Sequence, residues 1–158
     1  MTLNKFAIFI FLLCTVSTNC LAQSNYNAKV IKIFDGDSFI VLKDKISIEI
    51  RLSSIDAPEY FQDYGLECKN VLSDLILSKT ISIKPNGKDK YGRTIAFVYY
   101  NNININQEMV KRGCAFAYIK YLKDKSLIGL EMRARKEKIG LWAQPKSKII
   151  PPWKARNH

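Results

Sequence analysis

Residues 28–52 have the sequence AKVIKIFDGDSFIVLKDKISIEIRL, in which apolar and polar side chains alternate. The alternation is most regular over residues 46–52, and a period of two is typical of a strand with one buried face. We predict strands over residues 28–34, 38–42 and 46–52, with a hairpin at the three-residue link 43–45. The folded part of the chain therefore begins with short β-strands.

The remainder of the chain adds two further strands and several helices. Strands are predicted over residues 80–84 and 94–99, and a strand-like segment over 115–118. Helices are predicted over 66–77, from Asn106 to Arg112, and over 124–138. Asn106 is expected to cap the second helix and Gly113 to end it. Five short strands with helices inserted late predict an α+β fold, a small closed β-barrel with helices, in a single domain.

Composition limits the chemistry that is available. The chain has 158 residues, with 25 Lys and Arg against 14 Asp and Glu, and a formal net charge of +11. Its single histidine is His158, which excludes Ser-His-Asp triads and His-rich zinc sites. It has no glycine motif of the Walker or dinucleotide-binding type. Catalysis would therefore rely on carboxylates, Arg, Lys, Tyr and a hard metal ion, and the positive charge favours a nucleic-acid partner.

Residues 1–22 have the order of a secretory signal peptide. Lys5 precedes an apolar run over residues 6–16, which is shorter than a membrane-spanning helix requires, and small residues lead to Ala22. We expect cleavage after Ala22, a mature domain over 23–158, export to the periplasm or the medium, and no stable membrane association afterwards. An uncleaved anchor and a lipoprotein attached through Cys20 are the alternatives, although residues 17–19 lack the usual lipoprotein pattern.

Two cysteines, Cys68 and Cys114, remain in the mature chain. An oxidising compartment would permit a disulfide between them. Two buried thiols that act as small apolar side chains are the alternative, and the sequence leaves both open.

Acidic and basic residues cluster in three short segments. DGDS occupies 35–38, RLSSIDAPE occupies 51–59 and DKYGR occupies 89–93. Asp-Gly alone is a common turn signal. The second segment follows a predicted strand, however, and its carboxylates would join the first segment at one rim. Two carboxylates with a backbone carbonyl and waters form an oxygen-only site that suits Ca²⁺ or a similar hard cation.

These three segments resemble the motifs of the staphylococcal nuclease (thermonuclease) family. The resemblance continues through INQEMVKRG at 105–113, AFAYIKY at 115–121 and KIGLW at 138–142, and IPPW at 150–153 is similar to the tail of Gram-negative members. It implies a five-stranded OB-fold β-barrel with three α-helices. It also implies a Ca²⁺-dependent phosphodiesterase that acts on DNA and RNA.

The resemblance assigns roles to individual residues. The implied metal ligands are the Asp37 and Asp56 carboxylates and the Ala57 carbonyl, and Glu59 corresponds to the general base. The implied phosphate-binding arginines are Arg51 and Arg93, and the implied substrate contacts are Lys90, Tyr91 and Tyr118. Ala57 stands where the family usually has Thr, and the loop that follows Glu59 is shorter than in the staphylococcal type.

The chemistry of these residues agrees with phosphodiester hydrolysis. Attack by water adds negative charge to a phosphate, so catalysis needs fixed positive groups and a base for the water. Arginine supplies a planar fork that donates two hydrogen bonds to phosphate oxygens. From the resemblance we predict a sugar-nonspecific endonuclease, which we expect to be monomeric and to prefer single strands, on whose bases the tyrosines would stack. A non-catalytic OB-fold nucleic-acid-binding module is the alternative, although a pure binder has no need of the complete acidic site.

Overall fold

The computed structural model describes residues 24–156, so the predicted signal peptide lies outside the described residues. The strands are β1 (Tyr26–Ile33), β2 (Ser38–Lys43), β3 (Ile46–Leu52), β4 (Ile55–Asp56), β5 (Thr80–Lys88), β6 (Thr94–Tyr100), β7 (Ile103–Asn104) and β8 (Phe116–Ala117). The α-helices are α1 (Gly65–Ile76), α2 (Ile105–Lys111), α3 (Ser126–Lys136) and α4 (Pro152–Ala155). Short 3₁₀ helices cover Ile119–Tyr121, Gly140–Ala143 and Lys146–Lys148.

Five of the strands form a closed barrel. They follow the order β3, β2, β1, β5 and β6 with antiparallel neighbours, and β3 pairs in parallel with β6 to close the sheet. This closure confirms the predicted five-stranded OB-fold barrel of an α+β domain. The closing register places Ile50 opposite Thr94 and Arg51 opposite Ile95. The end of β3 and the start of β6 therefore lie side by side, which brings the second and third charged segments together.

The alternating side chains that predicted the strands fill the barrel. Val30, Phe39, Val41 and Ile50 have no exposed surface, and burial of an aliphatic or aromatic side chain contributes about 1.5–3 kcal/mol. The pairing of β1 with β2 shifts register between Val30 and Lys32, and Ile31 is left 44% exposed. The shift at this bulge explains why the alternation of β1 is less regular than that of β3.

Helix α1 packs against the rest of the domain through one face, and Leu66 lies outside that face. Its buried residues are Gly65, Cys68, Leu72 and Ile76, whereas Leu66 is 48% exposed. A residue in an α-helix is rotated by about 100° from the next one, so Leu66 lies about 120° around the helix from Leu72, away from the buried face. Helical spacing predicts that Leu66 lies mostly on the same side as Val71, Leu72, Leu75 and Ile76, and for Leu66 this prediction is wrong.

The two cysteines are free, and both are buried. Burial raises the pKa of the Cys68 thiol, and the neighbouring Cys114 raises it further. The Cys68 thiol is therefore protonated and unreactive at neutral pH. In this structure the pair acts as small core side chains between α1 and the segment after α2.

Strand β5 is longer than predicted. It extends through Lys88 rather than ending at Lys84, because Lys88 pairs with Thr94 across a register shift that begins at Pro85. Pro85, Asn86 and Gly87 are poor strand formers, which is why the local sequence indicates a loop. Pairing with β6 overrides that local preference.

Asn106 does not cap helix α2, so that prediction is wrong. The cap is Asn104, whose side chain accepts a hydrogen bond from the backbone N–H of Gln107. Asn106 is fully buried: its Nδ2 donates to the Ser53 carbonyl at 2.9 Å, and its Oδ1 accepts from Val98 N–H at 3.0 Å. Because unpaired buried amides are costly, these bonds fix α2 against β6 and the turn after β3.

Gly113 ends helix α2 as predicted, with φ of +63°. A Cβ atom at this position would lie 2.1 Å from the Ile139 carbonyl oxygen. The backbone after α3 therefore approaches this turn too closely for any side chain.

Among residues 24–156, no helix has the length and apolar character that crossing a membrane requires.

The C-terminal strap, residues 150–156, contains α4 and packs through Trp153 against a second, smaller apolar cluster of Phe116, Ala134, Leu141 and Trp142. Trp153 contacts the edge of Phe116 with ring centroids 5.5 Å apart. Gln62 Nε2 donates a hydrogen bond to the Ile150 carbonyl at 3.0 Å, which ties the strap to the loop after Glu59. The strap is thereby held beside the segments that carry the predicted site.

Candidate active site

The two aspartates of the turn between β1 and β2 have different roles. Asp35 Oδ1 accepts hydrogen bonds from the backbone N–H groups of Asp37 at 2.9 Å and Ser38 at 2.8 Å. This is an Asx turn, so Asp35 forms the loop. A Cβ atom on Gly36 would lie 2.7 Å from the Ala57 Cβ, so glycine permits the turn to approach that residue. Asp37 is left to face the interior.

Asp37 is 4% exposed and faces the second charged segment. Its Oδ2 accepts from Ala57 N–H at 2.5 Å and forms an ion pair with Arg51 Nη1 at 2.7 Å. Burial raises the pKa of Asp37 well above its ordinary value; Arg51 opposes this shift, and the charges of Asp35 and Asp56 add to it. Burial therefore disfavours the ionised form of Asp37 even with Arg51 beside it.

Asp56 lies beside Asp37 and is also bound by Arg51. Its side chain has no exposed surface, and its Oδ1 accepts from Arg51 Nη2 at 2.6 Å. The two terminal nitrogens of one guanidinium thus hold both carboxylates, an arrangement for which the planar fork of arginine is suited. The structure brings together Arg51, Asp37, Asp56 and Ala57 as the sequence predicts, although they come from separate strands.

Glu59 follows β4 and lies at the outer edge of this cluster. Its backbone N–H donates to Gln62 Oε1 at 2.9 Å, and its side chain is 24% exposed. Gly65 allows the short loop to fold back, because a Cβ there would lie 1.9 Å from the Glu59 carbonyl oxygen. The loop therefore holds Glu59 close to Asp56 while leaving its carboxylate accessible to water.

Arg156 is a site residue that the sequence analysis missed. Its Nη2 lies 2.8 Å from Asp56 Oδ2, and its Nη1 lies 3.2 Å from Asp56 Oδ1 and 2.5 Å from Glu59 Oε1. Burial opposes the charged form, but the hydrogen bonds to Asp56 and Glu59 outweigh it and raise the pKa of Arg156. Nearly 100 residues separate these groups in the chain, and an arginine near a terminus carries no local signal of such a contact.

Arg93 immediately precedes β6 and is held by Asp89. Its Nε lies 2.7 Å from Asp89 Oδ2, and its side chain is 26% exposed. Burial opposes the charged form of Arg93, whereas Asp89, and to a smaller extent Asp37, raise its pKa. Because β3 pairs with the start of β6, the third charged segment lies at the same end of the barrel as Arg51. The nitrogens of Arg93 other than Nε remain available to an anion.

Replacing Asp89 with asparagine should lower the free energy of unfolding by about 1–2 kcal/mol at pH 7. Asp89 accepts hydrogen bonds from the N–H groups of Tyr91 and Arg93 and from Arg93 Nε, and an amide nitrogen cannot accept the last of these. Burial raises the pKa of Asp89, but the bonds from Arg93 outweigh it and lower the pKa.

The sign of this shift determines the pH dependence. Because the folded-state pKa of Asp89 lies below its unfolded value, ionisation stabilises the fold at neutral pH, and this stabilisation is lost as pH falls through the lowered pKa. Urea unfolding at several pH values should show the difference between the wild type and D89N shrinking below about pH 4. The exposed Asp63→Asn control should change little, and a difference that is constant with pH would contradict the assignment.

The predicted substrate contacts border an open cleft of about 650 Å³. The cleft is lined by Lys90, Tyr118, Ile119, Lys120, Trp153 and Arg156. Tyr118 lies flat against Trp153, with ring centroids 5.3 Å apart and 4° between the planes. Tyr91 is 73% exposed and does not line the cleft, although Lys90 Nζ lies 4.9 Å from its ring centroid. A cleft of cationic and aromatic side chains suits a single-stranded nucleic acid.

The acidic groups fit a hard cation by their chemistry. The described residues contain no group of three or more His, Cys, Asp or Glu placed to hold a metal, so Asp37, Asp56 and the Ala57 carbonyl would need water to complete a coordination shell. Their donors are all oxygen, which Ca²⁺ prefers. Burial raises the pKa of Asp37, and the charges of Asp35 and Asp56 add to the rise; a bound cation would favour the ionised form of these carboxylates.

A closed OB-fold barrel with paired buried carboxylates and two arginines at one end fits the class of hydrolytic nucleases, and comparison with known sequences supports that class. The sequence profile described as "Staphylococcal nuclease homologue" matches residues 49–144. The chain belongs to the staphylococcal nuclease family, which confirms the resemblance.

Bacterial relatives agree with this assignment over most of the chain. An "Uncharacterized endonuclease" of Haemophilus influenzae is 44% identical over 135 residues, which cover 85% of this chain and 75% of the relative. An "Uncharacterized endonuclease" of Escherichia coli O157:H7 is 36% identical over 131 residues, which cover 82% of this chain and 84% of the relative's length. A "Micrococcal nuclease" of Shigella flexneri is 35% identical, covering 85% of this chain and 83% of its own.

Proposed function

We propose that the protein is an exported, Ca²⁺-dependent endonuclease that hydrolyses phosphodiester bonds of DNA and RNA without selecting the sugar. The observation that carries the proposal is the Arg51 fork, which holds Asp37 and Asp56 together at 2.7 Å and 2.6 Å. Glu59 lies on the other side of Asp56, linked to it through Arg156. This grouping supplies an acidic cation site, a candidate base and positive charge within one small region.

Each of the site residues would have a separate role in the reaction. Arg51 and Arg93 bind the phosphate and stabilise the charge that develops on its nonbridging oxygens. Glu59 accepts a proton from the attacking water, whose oxygen bonds to phosphorus while one P–O ester bond breaks and the leaving oxygen takes a proton from solvent. A Ca²⁺ ion held by Asp37, Asp56 and the Ala57 carbonyl would supply polarisation of the phosphate.

Single-stranded substrates are proposed because the cleft beside the acidic site is lined by both cations and rings. Lys90 and Lys120 would attract the backbone, and Tyr118 would stack on a base. The net charge of +11 supports electrostatic binding to nucleic-acid phosphates, which depends on salt concentration and is largely indifferent to base sequence.

The test incubates the protein with plasmid DNA, single-stranded DNA and RNA, with either CaCl₂ or EDTA. We expect shortened products from all three with Ca²⁺, fastest from the single strands, and intact substrate with EDTA. Cleavage that survives chelation would reject the metal-dependent mechanism. Substrate that is retained on a native gel but never shortened would favour the non-catalytic binding module.

Export is part of the proposal and depends on residues 1–22, outside the described part of the chain. It is supported by the signal-like order of Lys5, the apolar run and Ala22. Fractionation of cells expressing the chain, with N-terminal sequencing of the product, should find a protein that begins at Gln23 outside the cytoplasm. A cytoplasmic product that retains Met1 would reject export.

A further inference from the structure

The C-terminal strap reaches directly into the candidate active site. Its short helix α4 is closed by backbone hydrogen bonds from Ala155 N–H to the Pro151 carbonyl at 3.3 Å and from Arg156 N–H to the Pro152 carbonyl at 3.1 Å. The strap's start is tied to Gln62, in the loop after Glu59. These bonds give the strap a defined position, in which its last described residue, Arg156, faces the acidic groups.

Arg156 binds the same oxygens that a cation would use. Its guanidinium donates to both carboxylate oxygens of Asp56 and to Glu59 Oε1. A Ca²⁺ ion coordinates oxygen at about 2.3–2.6 Å, so an ion on the Asp56 oxygens would lie beside the Arg156 guanidinium, and the two positive charges would repel each other in this partly buried site. At this position Arg156 therefore competes with a cation for the Asp56 oxygens.

Trp153 covers the ring on which a base is expected to stack. Its indole is nearly parallel to Tyr118, with 4° between the planes, and Tyr121 contacts the edge of the Tyr118 ring at 5.1 Å between centroids. Parallel stacking is the geometry that a nucleobase adopts on an aromatic platform. The indole therefore occupies one of the two faces that Tyr118 can offer to a base.

We propose that the C-terminal strap is autoinhibitory: Arg156 occupies the Asp56 oxygens that the cation would use and pairs with the Glu59 carboxylate, Trp153 occupies one face of Tyr118, and withdrawal of the strap frees these groups for cation and substrate. The inference rests on the proposed function, because that function assigns Asp56, Glu59 and Tyr118 to the site. It adds a means by which the protein stays inactive until Ca²⁺ and nucleic acid are both present.

The strap is built to be displaced. Helix α4 has four residues, too few to be stable without its contacts, and the Arg156 side chain is 40% exposed. Trp153 itself is half-buried. An incoming polyanion offers phosphates to Arg156 and Lys154 in exchange for the carboxylates, so substrate would help to draw the strap away.

The first test measures binding of Ca²⁺ alone by isothermal titration calorimetry. Arg156→Gln should bind Ca²⁺ at least about 10-fold more tightly than the wild type, because charge-assisted hydrogen bonds no longer compete. Trp153→Ala keeps every charge but weakens the attachment of the strap, so it should also bind more tightly, by a smaller factor. The control Arg133→Gln removes an exposed arginine that pairs with Glu137 on α3, and its affinity should equal that of the wild type.

The second test follows strap displacement by hydrogen exchange. The Ala155 and Arg156 amides should exchange faster when saturating CaCl₂ is added to the wild type. The proposal would be overturned if Arg156→Gln alone bound Ca²⁺ more tightly, with unchanged Trp153→Ala affinity and unchanged exchange. The tighter binding would then come from removal of the Arg156 charge and not from release of the strap. Equal Ca²⁺ affinity in all four proteins would overturn it while leaving the cation site intact. Absence of Ca²⁺ binding in every protein would overturn the proposed function as well.

Discussion

Replacing Glu59 with glutamine should lower the rate of DNA cleavage by about 10²–10⁴-fold, the range attributed to a positioned general base. Glutamine has nearly the same volume and keeps an oxygen that accepts from Arg156 Nη1, but it cannot take a proton from water. Because the Glu59 side chain is 24% exposed, the substitution leaves the core unchanged. Initial rates on single-stranded DNA at saturating Ca²⁺ measure the effect.

The matched control for this variant is Glu137→Gln. Glu137 is exposed and pairs with Arg133 on α3 at 2.9 Å, so its loss changes the same charge at a distance from the acidic groups. The control should cleave at the wild-type rate, and both variants should unfold at similar temperatures. A Glu59→Gln protein that retains more than about a tenth of the wild-type rate would exclude Glu59 as the base, since even a modest base contributes about 10²-fold.

Replacing Arg93 with alanine should lower the cleavage rate by about 10²–10³-fold, as expected for the loss of a donor that stabilises transition-state charge. Asp89 holds the Nε of Arg93 and leaves the remaining nitrogens to donate to a phosphate. The loss should appear mainly in kcat, because the developing charge is greatest in the transition state. Steady-state kinetics on a short oligonucleotide separate kcat from KM.

Two further variants make this prediction specific. Arg93→Lys keeps the positive charge but loses the planar fork, so it should recover only part of the rate. Arg133→Ala, which removes an arginine whose side chain is 76% exposed on α3, should leave the rate unchanged. If Arg93→Ala raised KM alone, with kcat preserved, Arg93 would bind substrate without stabilising the transition state.

The strands of the barrel were largely predictable because their signal is local. Alternation over residues 46–52 reproduces β3 within the predicted limits, since one face of each strand must be apolar wherever it lines a core. The end of β5 and the role of Asn106 were not predictable. Lys88 pairs with Thr94 on β6, although the residues around Lys88 favour a loop. The Asn106 side chain bonds to Ser53 and Val98, although its local sequence favours a helix cap.

The candidate site was predictable to the extent that it lies in short motifs. Arg51, Asp56 and Glu59 fall within nine residues, and Asp37 precedes them in a recognisable turn, so their residue types and order were sufficient to nominate them. The division of labour between Asp35 and Asp37 was not visible, because both belong to the same four-residue motif. Hydrogen-bond geometry assigns the turn to Asp35 and the buried position to Asp37.

The amino-acid sequence alone predicted the barrel from its periodicity, and it predicted the family and the candidate site residues from short motifs, because both signals act over a few residues. Closure of β3 on β6 was needed to bring the three charged segments to one end. The position of Arg156 between Asp56 and Glu59 was decided by tertiary structure alone. An ion pair between groups about 100 residues apart depends on how the whole chain packs, and no local pattern encodes that distance.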